Sequence, residues 1–210
     1  PTIDFIDICT PNDSHMEIAK KAAQYGKAIY CEKPLAPSYD QSLHMLQEIR
    51  KHNVASGVAF NYRFIPGVYL LKKAMKKEVI GDIIDFKATL YHDSYLNPNK
   101  KGTWRTKADH GGGALLDLGV HLIDIIHYTI GEIKTINSDL RIFFADRTEV
   151  DEIASCDIVL ASGARGKLEV SRVHALSNQP TTVEVYGTKG SIKISSADPY
   201  HLSLYKYKKN

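Results

Sequence analysis

Five strand and helix patterns alternate within the first 60 residues, and the connections between them are too short for anything but βαβ units. Residues 3–9 read Ile-Asp-Phe-Ile-Asp-Ile-Cys, an apolar-rich strand. Thr10, Pro11 and Asn12 form a turn, and residues 13–25 follow as a helix with Met16, Ala19, Ala22 and Ala23 at 3–4 spacing and Gly26 as its stop. A short strand covers 28–31. Pro34 and Pro37 then break the chain, and Ser38 with Gln41 forms a capping box. The helix it opens carries Leu43, Leu46 and Ile49 as its stripe, ends near Asn53, and gives way to a strand over 54–60. This rhythm predicts a parallel sheet with right-handed crossovers, in which ligands sit at the carboxyl ends of the strands.

Beyond Arg63 the rhythm changes, which places a domain boundary between residues 63 and 64. Pro66 suits a helix N-terminus, and Leu70, Leu71, Ala74 and Met75 form its apolar stripe. Residues 84–91 alternate apolar and polar, as a strand with one buried face does. A polar loop over 93–110 holds the only tryptophan, Trp104, and loops of that length are usually functional. One helix is predicted from Gly113 to Ile130, followed by strands near 133–143, 153–161, 166–174, 181–187, 190–196 and 202–207. Gly187-Thr188-Lys189-Gly190 reads as a hairpin turn. The fold class is therefore α/β: part of a parallel sheet over residues 1–63, then an α+β domain over 64–210 with a large, open, mostly antiparallel sheet.

Charge and composition narrow the function. The balance is 27 Lys+Arg against 24 Asp+Glu, spread along the chain, with no basic stripe for nucleic acid and no polybasic membrane anchor. No apolar run reaches the ~20 residues of a membrane span, and no leader-like stretch opens the sequence. Three cysteines (Cys9, Cys31, Cys156) without CxxC spacing suggest small buried thiols in a reduced, cytoplasmic chain.

The candidate chemistry lies in three places. Glu32-Lys33-Pro34 follows the strand 28–31, and a lysine there can bond a substrate oxygen and favour its alkoxide. Thr10-Pro11-Asn12, with His15 one turn into the next helix, occupies the equivalent place after the first strand. The densest feature is Gly111-Gly112-Gly113 leading into a helix with Asp117, Gly119, His121 and Asp124. Asp117 and His121 are four apart and share a face, and Asp124 lies close to the same face. Three readings stay open: a general base oriented by Asp117, a metal pair, or a buried structural pair. No second ligand cluster supplies the rest of a metal site, so no metal is expected. Gly119 would let a ligand or another backbone approach.

These motifs together resemble the Gfo/Idh/MocA oxidoreductases, the glucose–fructose oxidoreductase or inositol dehydrogenase-like family. Thr-Pro-Asn with His15, Glu32-Lys33-Pro34, Asn61-Tyr62-Arg63, Trp104-Arg105 and the Gly-Gly-Gly…Asp117-x-Gly119-x-His121-x-x-Asp124 helix occur in the family's order, and the Tyr186-Gly-Thr-Lys-Gly-Ser-Ile192 hairpin resembles its second-domain sheet. The resemblance implies a Rossmann domain binding NAD or NADP, and hydride transfer to or from a hydroxyl-bearing carbon of a sugar or cyclitol. It implies Lys33, Asp117 and His121 as the catalytic set, with His121 exchanging the hydroxyl proton, Lys33 holding the same oxygen, and Asp117 orienting His121 and touching substrate. Asp124 would support substrate. Thr10, Pro11, Asn12, His15, Glu32, Lys33 and Pro34 would line the cofactor, with Arg63, Trp104 and Arg105 near cofactor or substrate. Association into a homo-oligomer through the second-domain sheet is a further implication.

One departure is large. The family's G-x-G-x-x-G/A turn is absent from these residues, and Gly111-Gly112-Gly113 follows a loop rather than a strand. The sequence is therefore expected to be an internal piece of a longer enzyme, inactive alone, with a sheet edge exposed where the centre should be. A non-catalytic assembly module on the same fold is the alternative, and a metal hydrolase using Asp117 and His121 is a third reading.

Overall fold

A computed structural model of the chain describes residues 3–175 and 179–207. The first unit is a three-stranded parallel sheet in the order β1-β2-β3, with β1 Phe5–Ile8, β2 Ala28–Cys31 and β3 Ser56–Val58. Helices α1 (His15–Gln24) and α2 (Tyr39–Lys51) connect them. Ala19, Ala22 and Ala23 of α1 bury against Ile8, Ile29, Cys31, Met45 and Ile49. The Ser38 hydroxyl accepts from the Gln41 amide at 3.3 Å and caps α2 as the capping box predicts. The buried stripe of α2 is Met45 and Ile49; Leu43 is turned outward, because the side of the helix that meets α1 is one residue around from the expected one. Among the described residues β1 has no partner on its outer side, and the apolar groove beside it is lined by Ile3, Ile6, Ile18 and Tyr25.

The second unit is a seven-stranded sheet in the order β10-β9-β8-β4-β7-β6-β5. Its strands are β4 Ile83–Tyr91, β5 Ile133–Arg141, β6 Ile153–Leu160, β7 Arg165–Ser171, β8 Thr182–Gly187, β9 Gly190–Ser195 and β10 Asp198–Lys206. All neighbouring pairs are antiparallel except β4 with β7. One face packs on helix α3 (Pro66–Lys76) and on the helix from Leu115 to Ile130, through Phe86, Leu90, Ile158, Leu168 and Val170 against Leu71, Leu118, Leu122 and Ile126. Leu70 is half exposed at the margin of this core, where the sequence pattern placed it within the stripe. The other face carries a row of charges across five strands in register: Asp157, Lys167, Lys87, Glu184 and Lys193. Tyr186 and Tyr205 stand exposed on that same face.

The long helix is not uniform. Its α-helical centre, α4 (Val120–Ile125), is flanked by π turns at Leu115–Gly119 and Ile126–Ile130, a widening often found at functional sites. Gly119 serves packing rather than ligand approach: a Cβ there would press on Leu115 at 2.7 Å and on Val170, so its absence seats the helix on β7. Gly113 has φ of 108°, and a Cβ there would collide with the Asp151 carboxylate that holds the start of the helix. Cys9 is exposed, unlike Cys31 and Cys156, because it sits just past the end of β1 on the lip of the sheet.

Candidate active site

The carboxyl ends of β1, β2 and β3 lead into Cys9–Asn12, Glu32–Pro34 and Ala59–Arg63, and these three loops face the start of the long helix. Several polar contacts tie the two units there. Asn12 Nδ2 donates to the Gly111 carbonyl at 3.1 Å, and His110 Nδ1 lies 2.7 Å from Asp13. Lys33 Nζ donates to Asp117 Oδ1 at 2.9 Å and to the Asp117 carbonyl at 2.7 Å. Arg63 Nε donates to both oxygens of Asp124, at 2.8 and 3.1 Å.

Asp117 is the hub. Besides Lys33, its carboxylate accepts from Arg105 Nε at 3.2 Å and pairs with Arg172. Three cations thus surround one buried anion. Burial pushes the Lys33 ammonium down to about 8, with Arg172 and Arg105 adding to the effect and Glu32 opposing it. Arg172 is itself buried, donates to the Ser94 hydroxyl at 3.3 Å and lies over the Tyr95 ring. The sequence reading missed it. Its signal was available: Leu168, Val170 and Arg172 follow one another at period 2, so a charged residue continues a core-facing row.

His121 is not oriented by Asp117, as the four-residue spacing suggested. The carboxylate is taken by the three cations, and His121 Nδ1 is buried without a hydrogen-bond partner. The imidazole is instead stacked on Tyr62, with ring centroids 4.3 Å apart and planes 12° from parallel. Its basicity is lowered rather than raised. Burial pushes its pKa down to about 4, the Lys33 charge adds to this, and Asp124 opposes it. Lys33 from the first unit and His121 from the second are thus close enough to sense each other's charge.

The remaining expected residues separate by exposure. Thr10 and Pro11 are exposed at the lip, and Glu32 is half-buried with its carboxylate accepting from the Lys33 amide. His15, Asn12 and Pro34 are buried. The His15 ring lies between the Thr10 and Pro34 carbonyls, at 2.9 and 3.1 Å, and so ties two loops together. Arg63 is paired with Asp124 and stacks over Tyr128, so the two charges engage each other. Trp104 is half-buried under the Arg105 guanidinium, 4.1 Å away. Asp151 was not anticipated; it accepts from the Leu115 amide at 2.8 Å and fixes the helix start. Among the described residues, no group of three or more His, Cys, Asp or Glu side chains is arranged to hold a metal ion.

This arrangement defines a class, and comparison with known proteins agrees. Residues 68–193 match the GFO/IDH/MocA C-terminal domain, and residues 1–60 match an oxidoreductase family with an NAD-binding Rossmann fold. The chain belongs to the Gfo/Idh/MocA oxidoreductase family. It is 36% identical to the levoglucosan dehydrogenase of Pseudarthrobacter phenanthrenivorans over 91% of its own length and 55% of that protein's. It is 32% identical to the scyllo-inositol 2-dehydrogenase (NAD(+)) of Bacillus subtilis over 97% of its length and 58% of that protein's. A solved structure of levoglucosan dehydrogenase with NADH and levoglucosan superimposes with a TM-score of 0.93 at 35% identity, covering all of this chain and 59% of the other. The chain thus spans little more than half the length of these relatives.

Proposed function

We propose that the intact protein is an NAD(P)-dependent dehydrogenase that oxidises a secondary hydroxyl of a sugar or cyclitol. The observation that carries this reading is the meeting of Lys33, Asp117 and the neutral imidazole of His121 where the parallel sheet's carboxyl ends face the long helix. The relatives support the substrate class and the cofactor: one is solved in complex with NADH and levoglucosan, and another is named for scyllo-inositol and NAD(+). Residues 1–63 would contribute to a dinucleotide-binding domain and 64–210 to a substrate and oligomerisation domain.

The exposed Thr10 and Pro11, with Glu32 and Lys33 beside them, fit the nicotinamide end of the cofactor, since dinucleotides bind across the carboxyl ends of such sheets. The 210 residues hold no Gly-rich strand-to-helix turn for a pyrophosphate, so only the nicotinamide end is assigned to them. When bound, the oxidised nicotinamide supplies a hydride acceptor. His121 takes the hydroxyl proton as general base, for which its depressed pKa keeps it unprotonated at neutral pH. The Lys33 ammonium donates to the same oxygen and stabilises the negative charge that grows on it. Asp117 holds Lys33 in place through two acceptors, and Arg105 and Arg172 hold Asp117.

A cytoplasmic homo-oligomer completes the proposal. No helix of the described residues is long and apolar enough to cross a membrane. Tyr186 and Tyr205 stand exposed among charges on the outer face of the large sheet, which suits a polar interface between copies. The test of the activity is turnover of the intact protein with NAD+ or NADP+ and a panel of sugars and cyclitols. Lys33→Ala and His121→Ala are each expected to lower kcat about 100-fold or more while NADH affinity stays within about threefold. Near-normal turnover by either variant would remove that residue from the chemistry.

A further inference from the structure

We propose that Tyr62 is the positioning residue for His121: its ring, reaching across from the first unit, fixes the plane of the imidazole and excludes water from one side of it. The inference rests on the dehydrogenase reading for its consequence but not for its geometry. A histidine serving as general base needs its ring held, usually by a carboxylate or carbonyl on the second nitrogen. His121 lacks that support, because its Nδ1 is buried and unpartnered and the nearby carboxylates are engaged elsewhere. Asp117 is bound by Lys33, Arg105 and Arg172, and Asp124 by Arg63. What the ring does have is a near-parallel face at 4.3 Å.

Tyr62 is itself well placed for this role. It lies in the 3-10 turn Asn61–Phe64 that follows β3, and it is packed against the core of the second unit. The next residue, Arg63, anchors the same turn to Asp124 on the helix that carries His121. The stack is therefore held at both ends, by the turn after β3 and by the helix that carries His121. The charges bearing on the imidazole are Lys33 from the β2 lip, itself bound to Asp117, and Asp124 from its own helix with Arg63 upon it. Covering one ring face with an aromatic side chain removes water without adding a charge, which favours the neutral base.

The experiment compares Tyr62→Phe and Tyr62→Ala in the intact protein, read by NMR of the His121 Cε1 proton across pH and by steady-state kinetics. Tyr62→Phe keeps the plane and is expected to reproduce the upfield-shifted resonance, its titration midpoint and kcat. Tyr62→Ala is expected to move the resonance downfield, raise the midpoint by about one unit or more, and lower kcat about tenfold with KM within about twofold. Should the alanine variant not fold, Tyr62→Leu carries the same test, having apolar volume without a ring. The inference is overturned if the ring-less variant keeps the resonance and midpoint of the parent, or if Tyr62→Phe loses as much as Tyr62→Ala. Absence of turnover in the parent protein would count against the dehydrogenase reading alone, since the NMR comparison does not depend on it.

Discussion

Asp117 and Asp157 each hold a lysine at nearly the same distance, 2.9 and 2.8 Å, yet they belong to different kinds of surface. Lys33 and Asp117 are 13% and 8% exposed, inside the contact between the two units. Lys167 and Asp157 are 73% and 69% exposed, in the charge row on the open face of the large sheet. Water and salt screen the second pair, so its geometry carries little energy. The first pair has been moved out of water together with Arg172, while Arg105 reaches in from the surface, so each buried charge there depends on its neighbours. Burial, rather than separation, decides which ion pair is tied to its neighbours tightly enough to organise a site.

The contrast can be tested by removing the same charge in each place. Asp117→Asn leaves Lys33, Arg105 and Arg172 without their shared anion. It is expected to destabilise the protein by about 3–5 kcal/mol in urea or thermal unfolding, the range for breaking a buried pair from one side. It should also lower kcat, because Lys33 loses the acceptor that places it. Asp157→Asn is expected to leave both the melting temperature and kcat unchanged within error. An equal loss of stability in the two variants would refute the distinction drawn between the two surfaces.

Much of this was legible in the sequence, and the exceptions share a cause. The βαβ rhythm, the Ser38 cap and the alternating strands are local patterns, and the structure has them in place. The long helix was visible too, although its π turns were not, since nothing in Leu115–Gly119 signals a wider turn. What escaped depends on residues far apart in the chain. The four-residue spacing of Asp117 and His121 suggested a pair, but Arg172 approaches Asp117 from just past the end of β7, 55 positions later, and Lys33 from 84 positions earlier. Spacing within one helix says nothing about competitors arriving from elsewhere. His15 and Asn12 stood at the expected lip, but whether they faced ligand or interior depended on Pro34 and Gly111 closing over them. Tyr62 lay within the Asn61-Tyr62-Arg63 triplet, and only the folded chain shows that its ring meets an imidazole 59 positions later.

The central claim is that an uncharged imidazole and a charged ammonium, brought from two units, act on one hydroxyl. The pH dependence of kcat/KM in the oxidation direction tests it most directly. His121 works unprotonated, so activity should rise as pH climbs through about 4. Lys33 works protonated, so activity should fall as pH passes about 8. The account predicts a bell with those two limbs, the upper one lost in Lys33→Ala and the lower one in His121→Ala. A lower limb near the ordinary histidine value of about 6.5, or a plateau extending unbroken past the ordinary lysine range, would contradict it.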